Sequence, residues 1–203
     1  MEYSAHIKRK YLAPRLLLVG VFFCIYSYFI ILVPGFYNSP DENANAVFIQ
    51  TFAESSELSV PVSPLYGGFA DFIHPRSTYV RDGFILPVGF WGLPVVYGVL
   101  AKIVGVRIVV FFTPLLAVLG ALAFFGIVRR IFNDKIALMS MALYMAHPAV
   151  WYYATRALFP NVPFVSFLLI GVYLMVARPL RLSHTLESRV AIADVLGGLC
   201  IAI

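Results

Sequence analysis

Asp41 and Glu42 form an adjacent carboxylate pair in Ser39-Pro40-Asp41-Glu42, just beyond a long hydrophobic stretch. Carboxylates so placed can take a proton from a reacting hydroxyl or help to hold a hard cation. Much further along, Arg156 offers a guanidinium whose fork can clamp two phosphate oxygens. It opens the run Arg156-Ala157-Leu158-Phe159-Pro160-Asn161. His74 and Arg76 are two more groups able to contact a sugar or a diphosphate. Each residue also has a structural alternative. Ser39-x-x-Glu42 with Pro40 at the first helical position reads as a capping box, and acidic residues suit a helix N-terminus. Arg156 also reads as a cation snorkelling to a membrane interface. His74-Pro75-Arg76 and Arg81-Asp82-Gly83 read first as turn chemistry with an Arg–Asp ion pair. His147, before Pro148, reads as a hydrogen-bonded residue at a helix kink.

The elements that must position these groups are apolar. Hydrophobic residues make up 61% of the 203-residue chain and charged residues 12%, against roughly 25% charged in a soluble domain. An integral membrane protein follows. The net charge of +5 does not point to nucleic acid, because the basic residues flank hydrophobic spans instead of lining one polar face. Cys24 and Cys200 sit in separate apolar segments, which leaves neither a disulfide framework nor a CxxC metal site. The first span is too long for a signal-peptide core and lacks a small-x-small cleavage site, so it reads as a retained anchor.

Four segments are long enough to cross a bilayer: Leu16–Val33, Ile108–Val128, Ile136–Ala154 and Phe159–Ala177, each near the ~20 apolar residues required. A fifth begins near Val190 and reaches Ile203 still apolar. The chain therefore reads as the N-terminal part of a longer protein, and residues 1–203 alone are expected to lack turnover. Pro87–Val104 is the ambiguous segment, interrupted by Pro94, Gly89, Gly92 and Gly98 and carrying Lys102. If it crossed, Arg129-Arg130-Lys135 and Arg178-Arg181-Arg189 would both fall outside, against the positive-inside rule. As an interfacial helix anchored by Phe90, Trp91 and Tyr97, it leaves these clusters and the basic flank Lys8, Arg9, Lys10 and Arg15 in the cytoplasm.

This topology creates an outer loop over residues 34–107, with interfacial helices expected at about 40–58 and 87–104. In the first, Ala44, Val47, Phe48, Thr51 and Phe52 follow helical spacing. Asp41, Glu42, Asp71, His74, Arg76, Arg81, Asp82, Arg156 and Asn161 all collect on the outer face. Asp194 lies in the fifth segment, where a charge near a span end can simply face water.

Taken in order, these pieces resemble the N-terminal module of the GT-C membrane glycosyltransferases, in particular the protein-mannosyltransferase-like and aminoarabinose-transferase-like families. The resemblance is carried by Pro40-Asp41-Glu42 after the first span, Pro87 to Pro94, and Leu100 to Arg107 leading into a span that ends Val128-Arg129-Arg130-Ile131-Phe132. His147-Pro148 and Tyr152 to Pro163 complete it. Each piece is degenerate and their order is the specific part. The match covers most of Leu16–Ala177.

The resemblance implies an all-α polytopic membrane fold, of which residues 1–203 are the N-terminal part of one domain. It implies transfer of a hexosyl or pentosyl group from a polyprenyl-phosphate-linked sugar to a lipid, glycan or protein acceptor. The site would face away from the cytoplasm, on the plasma membrane in a prokaryote, with membrane lipid as the surrounding partner. It assigns Asp41 as general base with Glu42 beside it. Arg156 and Asn161 lie in the matching frame and are expected substrate contacts, and His74 and Arg76 join them by their chemistry alone. Many relatives carry an acidic residue where this chain has Asn161. A neutral carbonyl is a poorer ligand for a hard cation, which weakens the case for Mg²⁺ or Mn²⁺ and leaves only Asp41 and Glu42 as ligands. Two other readings stand beside this one. One is a non-catalytic or transporter-like helical membrane protein with Asp41 as a cap, and the other is a degenerate relative that binds a sugar-lipid without turnover.

Overall fold

The structure, a computed structural model, describes residues 11–32, 37, 39–89, 91–176, 195 and 197–199. The basic residues Lys8, Arg9 and Lys10, the cluster Arg178-Arg181-Arg189, Phe90, Asp194 and most of the fifth apolar segment lie outside the described residues. The described chain is mostly helical. Helix α1 covers Leu12–Leu32, α2 Pro40–Ser55, α3 Gly92–Val104, α4 Val106–Val109, α5 Phe112–Ile131, α6 Asp134–Ala146, α7 Pro148–Ala154 and α8 Asn161–Val176. Strands β1 (Val60–Pro61), β2 (Thr78–Arg81) and β3 (Phe84–Pro87), and a 3₁₀ helix over Pro64–Phe69, lie between α2 and α3.

Among the described residues, two helical stretches, Leu12–Leu32 and Val106–Ile131, are long and apolar enough to cross a membrane. The expected third span over 136–154 is instead two helices. Pro148 lacks the N–H that would bond Tyr144, and the His147 N–H donates to the Tyr144 carbonyl at 3.2 Å. His147 takes extended backbone angles and caps α7, its Nδ1 accepting from the Ala149 N–H at 3.2 Å. The Met145 carbonyl thereby loses its helical partner, and the Tyr26 hydroxyl donates to it at 2.5 Å. A full break, not a kink, results. Of the fourth expected span, 159–177, Asn161–Val176 is helical, and Phe159 and Pro160 stay out of the helix.

The chain divides into two compact units. The first takes in residues 1–29, 114–155 and 161–203. Its core gathers Tyr26 of α1, Ala117, Val118, Ala121 and Phe125 of α5, and Met141 and Met145 of α6. Small residues allow close helix approach there: a Cβ on Gly120 would lie 2.8 Å from Ser166 Oγ. At one end, Arg129 pairs with Asp134 at 2.7 Å and Arg130 donates to the Val176 carbonyl at 2.5 Å.

The second unit takes in residues 30–113 and 156–160. Helix α2 packs along α3, burying Phe48 and Ile49 with Leu93, Tyr97 and Ala101. The approach is close enough that a Cβ on Gly98 would fall 2.7 Å from Phe52 Cδ1. The buried face of α2 is Glu42, Asn45, Phe48 and Ile49, whereas Val47, part of the expected apolar stripe, is exposed. The stripe is rotated because Glu42 and Asn45 find polar partners inside.

The segment between α2 and α3 departs from an all-α plan. It holds a three-stranded antiparallel sheet in the order β1-β3-β2, with Val80 opposite Ile85 and Arg81 opposite Phe84. Asp82 and Gly83, with φ of 51° and 80°, form the two-residue turn that a type I′ hairpin requires. The Arg81–Asp82 pair at 3.4 Å is exposed at that tip, so it adds little. With Phe84–Pro87 in a strand, the helix expected at 87–104 begins only at Gly92. Tyr97, expected at an interface, is fully buried. The helix expected over 40–58 ends at Ser55, where Ser56 takes a left-handed φ of 66° and its N–H donates to the Phe52 carbonyl.

Candidate active site

The site grows from the N-terminus of α2. Ser39 has extended backbone angles and its Oγ accepts from the Asp41 N–H at 3.2 Å, with Pro40 at the first helical position. This start places Asp41 and Glu42 in the first turn, where the helix dipole favours negative charge. Successive residues on an α-helix point about 100° apart, and here that rotation separates the pair. Asp41 is exposed. Glu42 is buried, its side chain only 5% accessible.

Glu42 Oε2 lies 3.5 Å from Nη1 of Arg156, whose side chain remains 28% accessible. Burying a carboxylate without a counter-charge costs several kcal/mol, so the guanidinium is what makes this placement tolerable. Tyr37 stands close enough to respond: burial, and then the Glu42 charge, hold its phenol above the ordinary value.

Arg156 is delivered to Glu42 by backbone contacts on the residues that follow it. The Asn45 side chain donates to the Leu158 carbonyl at 2.8 Å. Thr113 Oγ1 donates to the Ala157 carbonyl, and the Tyr97 hydroxyl shares a 2.7 Å hydrogen bond with the same Thr113 oxygen. Burial pushes the Tyr97 phenol up, and the Thr113 bond partly opposes that shift. Asn45, Thr113 and Tyr97 are all buried. Buried backbone carbonyls need such donors, and these fix residues 156–158 against α2 and α3.

Asp41 has a partner from the turn before β2. Ser77 Oγ donates to Asp41 Oδ1, and Ser77 holds a left-handed φ of 66°, a conformation that costs a non-glycine residue on the order of 1–3 kcal/mol. The turn around it is tied down next door. Thr78 Oγ1 donates to the Pro75 carbonyl at 2.5 Å, and His74 Nδ1 lies 3.3 Å from Thr78 Oγ1. His74 is half-buried and Arg76 exposed.

Of the sequence-derived candidates, Glu42 and Arg156 form an ion pair, while Asp41, next to Glu42 on α2, is hydrogen-bonded by Ser77 instead. His74 and Arg76 sit on the turn that carries Ser77. Asn161 opens α8 in the other unit and is exposed. Three contributors went unremarked in the sequence: Ser77, Asn45 and Thr113. Ser77 left no local signal. Asn45, a polar residue at helical spacing from Phe48 and Phe52, did leave one.

The cluster does not suit a divalent cation. A guanidinium 3.5 Å from Glu42 opposes a second positive charge there, and the two carboxylates diverge. Among the described residues no group of three or more His, Cys, Asp or Glu side chains is placed to hold a metal ion. What remains is an exposed carboxylate, oriented by a hydroxyl, on the same helical turn as a buried ion pair. Such a set can accept a proton and can present a partly exposed cation to an anionic group. The chain matches no protein-family model, no curated protein and no solved structure.

Proposed function

We propose that this chain is part of an integral membrane glycosyltransferase that moves a sugar from a polyprenyl-phosphate carrier to an acceptor outside the cytoplasm. The observation that carries the reading is the division of labour between adjacent carboxylates. Asp41 is exposed and held by Ser77, while Glu42 is buried against Arg156. The GT-C-like order of motifs and the two helices apolar enough to cross a membrane support it.

In the proposed reaction the acceptor hydroxyl oxygen attacks the anomeric carbon and a new C–O bond forms there. The bond from that carbon to the phosphate oxygen breaks, and its electron pair leaves with the polyprenyl phosphate. The hydroxyl proton passes to the Asp41 carboxylate. Ser77 orients that carboxylate by donating to Oδ1, leaving Oδ2 to face the acceptor. Arg156 meets the charge growing on the phosphate, its own charge partly matched by Glu42, so that the product anion is held without being trapped. His74 and Arg76, on the Ser77 turn, contact the sugar or phosphate.

A second reading rests on one observation, that Arg156 already faces a buried carboxylate. In it the cluster only locks α2 to residues 156–158, in a membrane protein without turnover. Transfer of label from a panel of polyprenyl-phosphate sugars, in membranes carrying the full-length gene product as wild type or Asp41→Asn, decides between them. Label transfer that Asp41→Asn abolishes is the expected result. Absence of transfer from every donor, or equal transfer by both proteins, would leave the lock as the better account.

A further inference from the structure

The two outer-loop helices turn apolar side chains inward: Phe48 and Ile49 of α2, and Leu93, Tyr97 and Ala101 of α3, are buried in the second unit. The 3₁₀ helix and the turn after it do the reverse. Leu65 is 95% accessible, Phe69 67%, Phe72 85% and Ile73 58%. These four bulky residues fall within one short coil. Its backbone continues from the 3₁₀ helix through the Phe72 and Ile73 N–H groups, which both donate to the Phe69 carbonyl at 2.9 and 2.8 Å. Soluble surfaces scatter single apolar residues; a concentrated group this exposed marks a contact surface.

We propose that residues 64–73 form a hydrophobic wedge that inserts into the bilayer interface and docks the second unit on the membrane. The occupant is a lipid surface because of how the chain is connected. Helix α1 ends at Leu32, shortly before this unit's first helix, and the unit's last helical residues, from Val106, run into the second stretch long enough to cross. A bilayer spanned by those helices is therefore always within reach, at high effective concentration. The chemistry fits shallow insertion. Leu and Phe side chains bury in the headgroup–acyl boundary, while Asp71, within the turn, and Arg76, just after it, are exposed and suit the polar headgroup level. The wedge also gives the site a fixed height. The chain between Phe72 and Ser77 is short, and Ser77 holds Asp41, so anchoring the turn sets where that carboxylate stands above the lipid.

This inference rests on the membrane reading above, and its test separates the two. Full chain with Cys24 and Cys200 replaced by Ala is reconstituted into phosphatidylcholine–phosphatidylglycerol vesicles. Single cysteines at Leu65→Cys, Phe72→Cys, Leu17→Cys in α1 and Asp82→Cys at the hairpin tip carry an environment-sensitive fluorophore. The proposal expects probes at 65 and 72 to lose emission with shallow spin-labelled lipid and to resist aqueous iodide, with the probe at 82 behaving oppositely. If 17 is quenched by lipid while 65 and 72 follow 82, the wedge is wrong and the membrane reading stands. If 65 and 72 resist both quenchers, protein covers them and the wedge is equally wrong. If lipid fails to quench even 17, the membrane reading falls and takes the wedge with it.

Discussion

Arg156 Nη1 stands 3.5 Å from Glu42 Oε2, with the carboxylate buried and the guanidinium still partly open to solvent. The pair is therefore asymmetric. Removing the cation takes the counter-charge from a buried carboxylate, whereas removing the anion leaves a cation that water can reach.

Arg156→Met is accordingly expected to destabilise the protein by about 3–5 kcal/mol, the usual cost of removing one partner from a buried ion pair. Glu42→Gln should cost less, about 1–2 kcal/mol, because the carboxamide still accepts a hydrogen bond. Thermal or denaturant unfolding of the two variants in the same detergent checks the order. Equal losses would mean that the carboxylate is solvated after all.

Asp41→Asn should lower turnover by roughly 10² to 10⁴, the range for a positioned general base, with expression and helix start preserved because the cap is Ser39, which the substitution leaves in place. Glu42→Gln should lower it less. If Asp41 only supports the helix, the pattern reverses. Asp41→Asn then turns over normally, and Ser39→Ala is the variant that suffers, by about 1 kcal/mol.

Ser77 separates geometry from strain. Ser77→Gly relieves a left-handed backbone while deleting the hydroxyl that holds Asp41, so stability should stay within about 1 kcal/mol of wild type. Turnover should nevertheless fall roughly 10- to 10²-fold, as expected when a reacting group loses its orientation. Ser77→Thr keeps a hydroxyl and should recover part of the rate. Normal rates for Ser77→Gly would remove it from the positioning role.

Transfer should survive EDTA, because a guanidinium already occupies the inner side of the carboxylate pair. The assay is label transfer before and after chelation, with Mg²⁺ or Mn²⁺ added back. Complete loss restored by metal would show that Arg156 moves away when substrate binds.

For topology, single cysteines at Phe132, beside Arg129 and Arg130, and at Arg181 should both be protected from impermeant reagents in intact cells. The basic clusters they mark are expected on the cytoplasmic side. Labelling of either from outside would refute that arrangement.

Much of this was legible in the amino-acid order because its causes are local. A run of apolar residues from Leu16 specifies a long helix, and the observed α1 starts only one turn earlier. Ser39-Pro40 specifies a helix start, and α2 begins there. His147-Pro148 announced trouble in a helix, since proline removes a donor wherever it sits. Asp82-Gly83, between Arg81 and Phe84, is a hairpin signal as well as a turn signal. The third strand of its sheet leaves no such mark, because β1 is two residues long and pairs across a wide gap in sequence.

The sequence by itself determined which groups were available: two adjacent carboxylates, a distant Arg-x-x-x-Pro-Asn run and apolar helices to carry them. It did not decide which carboxylate would face water. That depended on which side of α2 met α3 and residues 156–158, and the answer put Glu42 and Asn45 inside against the apolar stripe that local periodicity favoured. The Leu158 carbonyl and the Arg156 guanidinium supply the polar partners that make those two burials affordable, and neither lies near them in sequence. Ser77 reaches Asp41 for the same reason. Hydrogen bonds and ion pairs are short-ranged in space and indifferent to sequence separation, so only the tertiary structure could join them into one site.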